Sequence, residues 1–192
     1  MQQHIKSYID RLSRTLEFDA MRQVESLGMA LREAWLEGRA VYLCGNGGSA
    51  GNAIHLANDL IYGAGVRSGG GGLRVEALSA NAAVLTCLAN DLGYEHIYSE
   101  QLKVKAVSGD VLIVLSGSGN SPNVVKALEA GNAIGMKTFA ILAYSGGRCK
   151  ALAQHPIHFA IDDMQIAEDL QVIVGHICMQ WLCAHPIREK AR

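Results

Sequence analysis

Two stretches built on one plan constrain this chain more than anything else in it. Ala40–Cys44 (AVYLC) runs into GNGGSAGN, and Val111–Leu115 (VLIVL) runs into SGSGNSPN. Each is a short apolar run followed by a glycine–serine turn and a stretch with helical character. Runs without polar alternation suit strands buried on both faces, which a parallel sheet covered by helices provides. From Ala40 the alternation continues, with strands predicted at Ala40–Cys44, Leu73–Leu78, Val111–Leu115, Lys137–Leu142 and Ile157–Ala160. Helices are predicted near Ser49–Ile61, Ala82–Leu88, Glu95–Val104, Ser121–Ile134, Gly147–Ala153 and Ile166–Ala184. No repeat or linker interrupts the pattern, so the expectation is one α/β domain over residues 1–192, its core at 39–185.

Ahead of the first strand, Gln3–Thr15 and Asp19–Glu37 read as two helices, the second closed by Gly38. Ile5, Ile9, Leu12 and Leu16 recur at helical spacing, as do Val24, Leu27, Met29, Leu31 and Trp35 more loosely. These helices have no sheet of their own to cover, so packing against another subunit is their natural use. The 192 residues are 49% hydrophobic and 18% charged, enough apolar material for a sizeable core. A formal net charge of −1 gives no electrostatic reason to expect a nucleic-acid or membrane partner. No run approaches the ~18 apolar residues of a membrane span and the polar start lacks a signal-peptide core, so a cytoplasmic location is expected. The five cysteines form no CxxC pair, which reads as reduced thiols rather than a cysteine-based zinc site. Cys44, at a strand end, reads as a small buried filler.

Phosphate favours the unpaired N–H groups of a helix N-terminus, glycine lets the backbone approach it, and serine hydroxyls add donors. CGNGGS has this make-up, and Ser116–Ser121 (SGSGNS) repeats it, with Pro122 suited to a first helical turn. Neither is a Walker A loop, because no GK[ST] follows, and GNGGSAG lacks GxGxxG spacing. Two such loops at one sheet edge point to a phosphorylated small molecule. Tyr62–Gly72 (YGAGVRSGGGG) has glycine at six of eleven positions and is expected to be a mobile loop. Whether it is a plain connection or orders over a ligand is open from the sequence.

His55 and Asp59 are i, i+4 on the helix after the first loop and face one way. In the last helix Asp169 and His176 are i, i+7 and nearly in line, with Glu168 about 80° round from His176. Two imidazoles with two carboxylates fit a divalent metal such as zinc, and they also fit a metal-free proton-transfer pair. Taken singly, each is also compatible with a capped or salt-bridged structural role.

With these residues in view, the chain resembles the phosphoheptose isomerase branch of the sugar isomerase (SIS) domain family. The segments that carry the resemblance are CGNGGSAGNAIHLAND, LTCLANDLGYEHIYSEQL, GDVLIVLSGSGNSPNVVKALEAGNAIGMK and AEDLQVIVGHI. The resemblance implies a five-stranded parallel sheet flanked by helices, assembled as a homotetramer through N-terminal helices. It implies conversion of sedoheptulose 7-phosphate to D-glycero-D-manno-heptose 7-phosphate, an early step toward surface heptose and lipopolysaccharide. By position, Asn46, Gly47, Gly48 and Ser49 match a first substrate loop, Asn90 and Asp91 a second sugar contact, and Ser116, Gly117, Ser118 and Ser121 the phosphate loop. The family's metal positions fall on His55, Asp59, Glu168 and His176, with zinc as the implied ion and Glu168 also in reach of substrate. The implied chemistry is an aldose–ketose shift through an enediol, with Asp59 as base and His176 as acid.

Several positions depart from the family's pattern. Asp59 stands where the family has glutamate, Glu168 where it has glutamine, and Gly117 where threonine is common. A family arginine just after the first core helix is missing, with Gly63 aligned there, and SGGGG differs from a proline-containing segment. These departures leave room for a related sugar phosphate. The rival expectation is a non-catalytic SIS-fold module that senses a sugar phosphate or binds another protein.

Overall fold

The computed structural model describes residues 1–17, 19–67 and 71–187. Two helices, α1 (Gln2–Leu16) and α2 (Arg22–Glu37), precede β1 (Ala40–Gly45). Then come α3 (Gly48–Asn58), a π-helical segment (Asp59–Val66), β2 (Arg74–Ala77), α4 (Ala82–Asp91) and α5 (Ser99–Lys105). The chain continues through β3 (Val111–Ser116), α6 (Pro122–Ile134), β4 (Lys137–Leu142), α7 (Gly147–Leu152), β5 (His155–His158) and α8 (Met164–Ala184). The five strands form one parallel sheet in the order β2-β1-β3-β4-β5.

Successive side chains of the central strands feed opposite faces, as the strand period of two requires. Val41, Leu43, Ile113, Leu115 and Ile141 pack with Leu27, Leu31, Leu56, Leu170 and Val174 from α2, α3 and α8. The expectation that both leading helices have no sheet to cover is thus corrected for α2, whose apolar face is buried on this one. Tyr42, Cys44, Leu112, Val114 and Leu142 pack with Leu102, Val124 and Leu128 from α5 and α6. All six residues of β1 and of β3 are buried, which is why neither run alternates with polar residues.

Boundaries differ from the sequence reading where tertiary contacts decide. β5 begins at His155 and takes in Pro156. It pairs only with β4, and an edge strand tolerates a residue without an N–H. The predicted helix 95–104 is split into a 3₁₀ turn (Tyr94–His96) and α5, because Tyr98 turns inward to donate its hydroxyl to Gly45 O. The expected mobile loop Tyr62–Gly72 is corrected over its first part: Tyr62–Val66 completes the π-helical segment, closed by Arg67 N–H donating to Tyr62 O at 2.8 Å. Gly65 serves close packing there, since a Cβ on it would lie 2.3 Å from Gly72 Cα. Ser68, Gly69 and Gly70, also in that expectation, lie outside the described residues.

Candidate active site

In an open parallel sheet a ligand crevice forms where connections leave neighbouring strands in opposite directions, beyond the strands' carboxyl ends. Here that point lies between β1 and β3, and both glycine–serine loops leave the sheet at it. A cleft of about 270 Å³ opens there. One side is Asn46, Gly47, Gly48 and Ser49; the other is Ser116, Gly117, Ser118 and Ser121. Met164 and Glu168 of α8 close it. Gly47, the N-cap of α3, has φ +55° and ψ −122°, a conformation that favours glycine and turns the chain from strand to helix within two residues.

The second loop is shaped by its own hydroxyls. Ser116 Oγ accepts from Gly119 N–H at 3.1 Å, and Ser118 Oγ accepts from Asn120 N–H at 3.3 Å. Ser121 is the N-cap of α6 but makes no capping bond with its side chain. Among the described residues, Glu168 is the one ionisable side chain lining the cleft. Its carboxylate lies against Gly48, where a Cβ would come within 2.3 Å of Oε1.

Beside the cleft, α3 and α8 run in parallel, so contacts advance together along both: Gly48 with Glu168, Asn52 with Gln171, Leu56 with Gly175. The next step brings His55 and His176 together, with Nε2 atoms 2.9 Å apart. Asp59 Oδ2 lies 3.1 Å from His176 Nε2 and 3.5 Å from His55 Nε2. All three ligand atoms fall within 4.8 Å of one another. Donors about 2.0–2.1 Å from a tetrahedral ion lie roughly 3.3–3.4 Å apart, so the observed spacings suit a shared divalent cation. Two imidazole nitrogens and one carboxylate oxygen are the donor chemistry of a three-ligand centre with an open position.

The SIS domain family matches residues 3–143. The phosphoheptose isomerase of Trichlorobacter lovleyi is 36% identical over 166 residues, covering 86% of this chain and 84% of that one. That of Helicobacter pylori is 36% identical over 148 residues, 76% of each chain. The structure of phosphoheptose isomerase from Neisseria gonorrhoeae superposes with a TM-score of 0.85, covering 95% of this chain and 98% of that chain at 23% identity. The chain belongs to the SIS-domain family. Within that family it is closely related to the phosphoheptose isomerases.

In this SIS domain the residues expected at the site divide into groups. The two loops expected to hold substrate meet at one cleft, and His55, Asp59 and His176 converge further along the two helices, α3 and α8, that border it. Glu168 is not one of the three clustered groups. It precedes His176 by eight residues, about 12 Å along the helix axis, and sits at the opposite end of the α3–α8 contact. Asn90 and Asp91 lie at the exposed end of α4, where Asn90 Nδ2 donates to Asp91 Oδ1 at 2.8 Å, and neither lines the cleft. Asp169 turns away toward α1 and accepts the Tyr8 hydroxyl. Burial, then this carboxylate, push the Tyr8 hydroxyl up to about 12. Cys44 is the expected buried filler, and burial raises its thiol well above the usual range.

Sequence reasoning passed over the partners that hold Asn46 and Ser49 in place, namely Asn123, Tyr94, Gln171 and Asn52. Asn46 and Asn123 exchange side-chain hydrogen bonds of 2.9 and 2.8 Å across the cleft floor, and Tyr94 donates to Asn46 Oδ1 at 3.1 Å. Gln171, almost fully buried, donates to Ser49 Oγ at 3.0 Å and accepts from Asn52 Nδ2 at 3.0 Å. Ser49 Oγ therefore has one of its two lone pairs engaged by α8. Gln171 stands one helical turn from Glu168 and Asn52 one turn from His55, a spacing that marks polar residues on a helix–helix seam.

Proposed function

We propose that this protein is a metal-dependent sugar-phosphate isomerase interconverting a ketose and an aldose phosphate, with sedoheptulose 7-phosphate or a close relative as substrate. The convergence of His55, Asp59 and His176 at the seam of the two helices that border a cleft rich in hydroxyls and helix N-termini carries this reading. Kinship with the phosphoheptose isomerases supports it.

The phosphate is assigned to Ser116–Ser121 and the first turn of α6, where serine hydroxyls and N–H groups meet the positive end of the helix. Glu168 repels an anion from the other loop and accepts from sugar hydroxyls, which orients the sugar with its phosphate away from α3. The reacting carbons then lie toward the histidine–aspartate cluster. Asp59 takes a proton from the carbon beside the carbonyl, leaving an enediol, and His176 moves a proton at the neighbouring oxygen. Return of a proton to the adjacent carbon completes the shift. Zinc is the ion we assign to His55, Asp59 and His176; when bound it would polarise the carbonyl and steady the developing negative charge.

We assign a homotetramer as the working form. Ile5 and Ile9 on α1 and Met29 and Leu36 on α2 are each about half exposed or more, and an apolar groove of about 360 Å³ runs between α2 and α8. Asn90 and Asp91 contact sugar in this reading only from a neighbouring subunit. Light scattering that found a stable monomer at micromolar concentration would remove that contact.

The deciding experiment incubates the protein with zinc and sedoheptulose 7-phosphate in D₂O and follows the mixture by NMR. Aldose formation with deuterium entering beside the carbonyl is expected. Tight sugar-phosphate binding with neither product nor exchange would leave the non-catalytic sensing role instead.

A further inference from the structure

The β4–α7 turn contains the one described non-glycine residue with a left-handed backbone, Tyr144 at φ +48°. An aromatic residue does not adopt that conformation without being held in it, and such residues gather where a fold fixes a functional geometry. Tyr144 is held from both sides. Its N–H donates to Ile161 O at 3.0 Å, and its carbonyl lies 2.9 Å from His158 Nε2. Because a carbonyl only accepts, that ring nitrogen carries the proton.

What the held turn supports is the Ser116–Ser121 loop. Ala143 N–H donates to Gly117 O at 2.9 Å, Cys149 N–H to Gly119 O at 2.9 Å and Arg148 N–H to Asn120 Oδ1 at 3.0 Å. The two segments touch backbone to backbone, since a Cβ at Gly119 would lie 2.0 Å from Gly146 O. A Cβ at Gly117 would meet Met164 Sδ at 2.9 Å and Tyr144 Cε2 at 3.5 Å, so the Tyr144 ring backs the loop at its bare position. Tyr144 does not itself line the cleft.

We infer that Tyr144 and His158 are positioning residues for the substrate's phosphate: His158 fixes the reversed backbone of Tyr144, whose ring and turn hold Ser116–Ser121 in its anion-binding shape before substrate arrives. This inference rests on the reading that the Ser116–Ser121 loop takes the phosphate. A preformed loop binds without an ordering cost, so loosening it weakens ground-state and transition-state binding alike.

The test measures sedoheptulose 7-phosphate binding by calorimetry, and kcat and KM by NMR, in the wild type and in Tyr144→Gly, Tyr144→Phe, His158→Ala and His158→Gln. Tyr144→Gly accepts the reversed backbone but lacks the ring, and should raise Kd and KM roughly 10-fold with kcat within about twofold. Tyr144→Phe keeps the ring and should restore wild-type binding. His158→Ala should weaken binding, and His158→Gln, which returns a side-chain N–H donor, should recover most of it. Wild-type affinity in both Tyr144→Gly and His158→Ala overturns the inference. If Tyr144→Gly fails to fold, the His158 pair decides, and wild-type binding by His158→Ala is then sufficient to overturn it. A Ser118→Ala/Ser121→Ala variant separates the two levels. Should it lose affinity while the Tyr144 and His158 variants do not, the inference alone falls; should it too bind normally, the phosphate-loop reading falls with it.

Discussion

Gly175 tests whether helix packing sets the spacing of the proposed metal ligands His55, Asp59 and His176. It directly precedes His176 on α8, and Leu56 directly follows His55 on α3. A methyl group on Gly175 would lie 2.2 Å from Leu56 Cδ2, 2.7 Å from Cδ1 and 3.0 Å from Cγ. Carbon atoms pack at about 3.5–4.0 Å, so relief takes at least ~1.3 Å of movement. Leu56 is 3% exposed, and the void beside it and Gly175 is about 10 Å³, so the side chain has little room to swing aside. The strain passes to the helices. Moving α8 off α3 by even half that amount would stretch the His176 contacts with His55 and Asp59 from 2.9 and 3.1 Å to about 3.6 and 3.8 Å, away from the roughly 3.3–3.4 Å of an ideal tetrahedral site.

Overpacking costs about 1–3 kcal/mol, and replacing glycine by alanine within a helix returns about 0.8–1.0 kcal/mol. Gly175→Ala should therefore lose only ~0–2 kcal/mol of stability, a fall in melting temperature of at most several degrees. Zinc affinity, measured against a chromogenic chelator, should fall by about 10–100-fold, the range seen when support around a metal ligand is lost, with turnover falling alongside. Gly51→Ala is the control on α3, because a Cβ there meets nothing within 4 Å. It should bind zinc normally and melt slightly higher. If Gly175→Ala holds zinc and turns over substrate within twofold of wild type, close packing at Gly175 does not set the ligand spacing.

Asp59→Asn should abolish isomerisation, because an amide cannot take the proton, while Asp59→Glu should keep zinc and shift substrate preference; near wild-type turnover by the asparagine variant would move the base to another carboxylate. Ser118→Ala with Ser121→Ala removes two donors worth about 0.5–1.5 kcal/mol each, more to a charged acceptor, so substrate Kd measured calorimetrically should rise roughly 10-fold or beyond with the circular-dichroism spectrum unchanged. Tyr8 ionises near 10 in the unfolded chain and about 12 in the folded one, so its contribution is intact below pH 10 and is lost as pH rises from 10 toward 12. Chemical denaturation across that range should show a shallower alkaline fall for Tyr8→Phe than for the wild type, and parallel curves would show that the α1–α8 contact contributes nothing there.

The parallel sheet, its two glycine–serine loops and the common face of His55 and Asp59 were legible from local pattern. Buried runs such as VLIVL have few other uses, and a spacing of four residues within one helix fixes relative direction whatever surrounds it. Glycine richness alone misread Tyr62–Val66, because glycine serves flexible and close-packed backbone equally, and only the return of Gly72 beside Gly65 tells the two apart. Asn123, Gln171 and Tyr94 carried no local signal, since each matters through a partner far away in the chain.

By itself the sequence determined which elements form and which of their residues share a face, because those are properties of neighbours along the chain. Only the tertiary structure decided that α3 and α8 lie side by side in parallel. That packing brings His176 to His55 and Asp59, sends Glu168 to the cleft and turns Asp169 toward Tyr8. No spacing within either helix contains it, because the approach depends on where Leu56 can seat against Gly175 across 118 residues of intervening sequence.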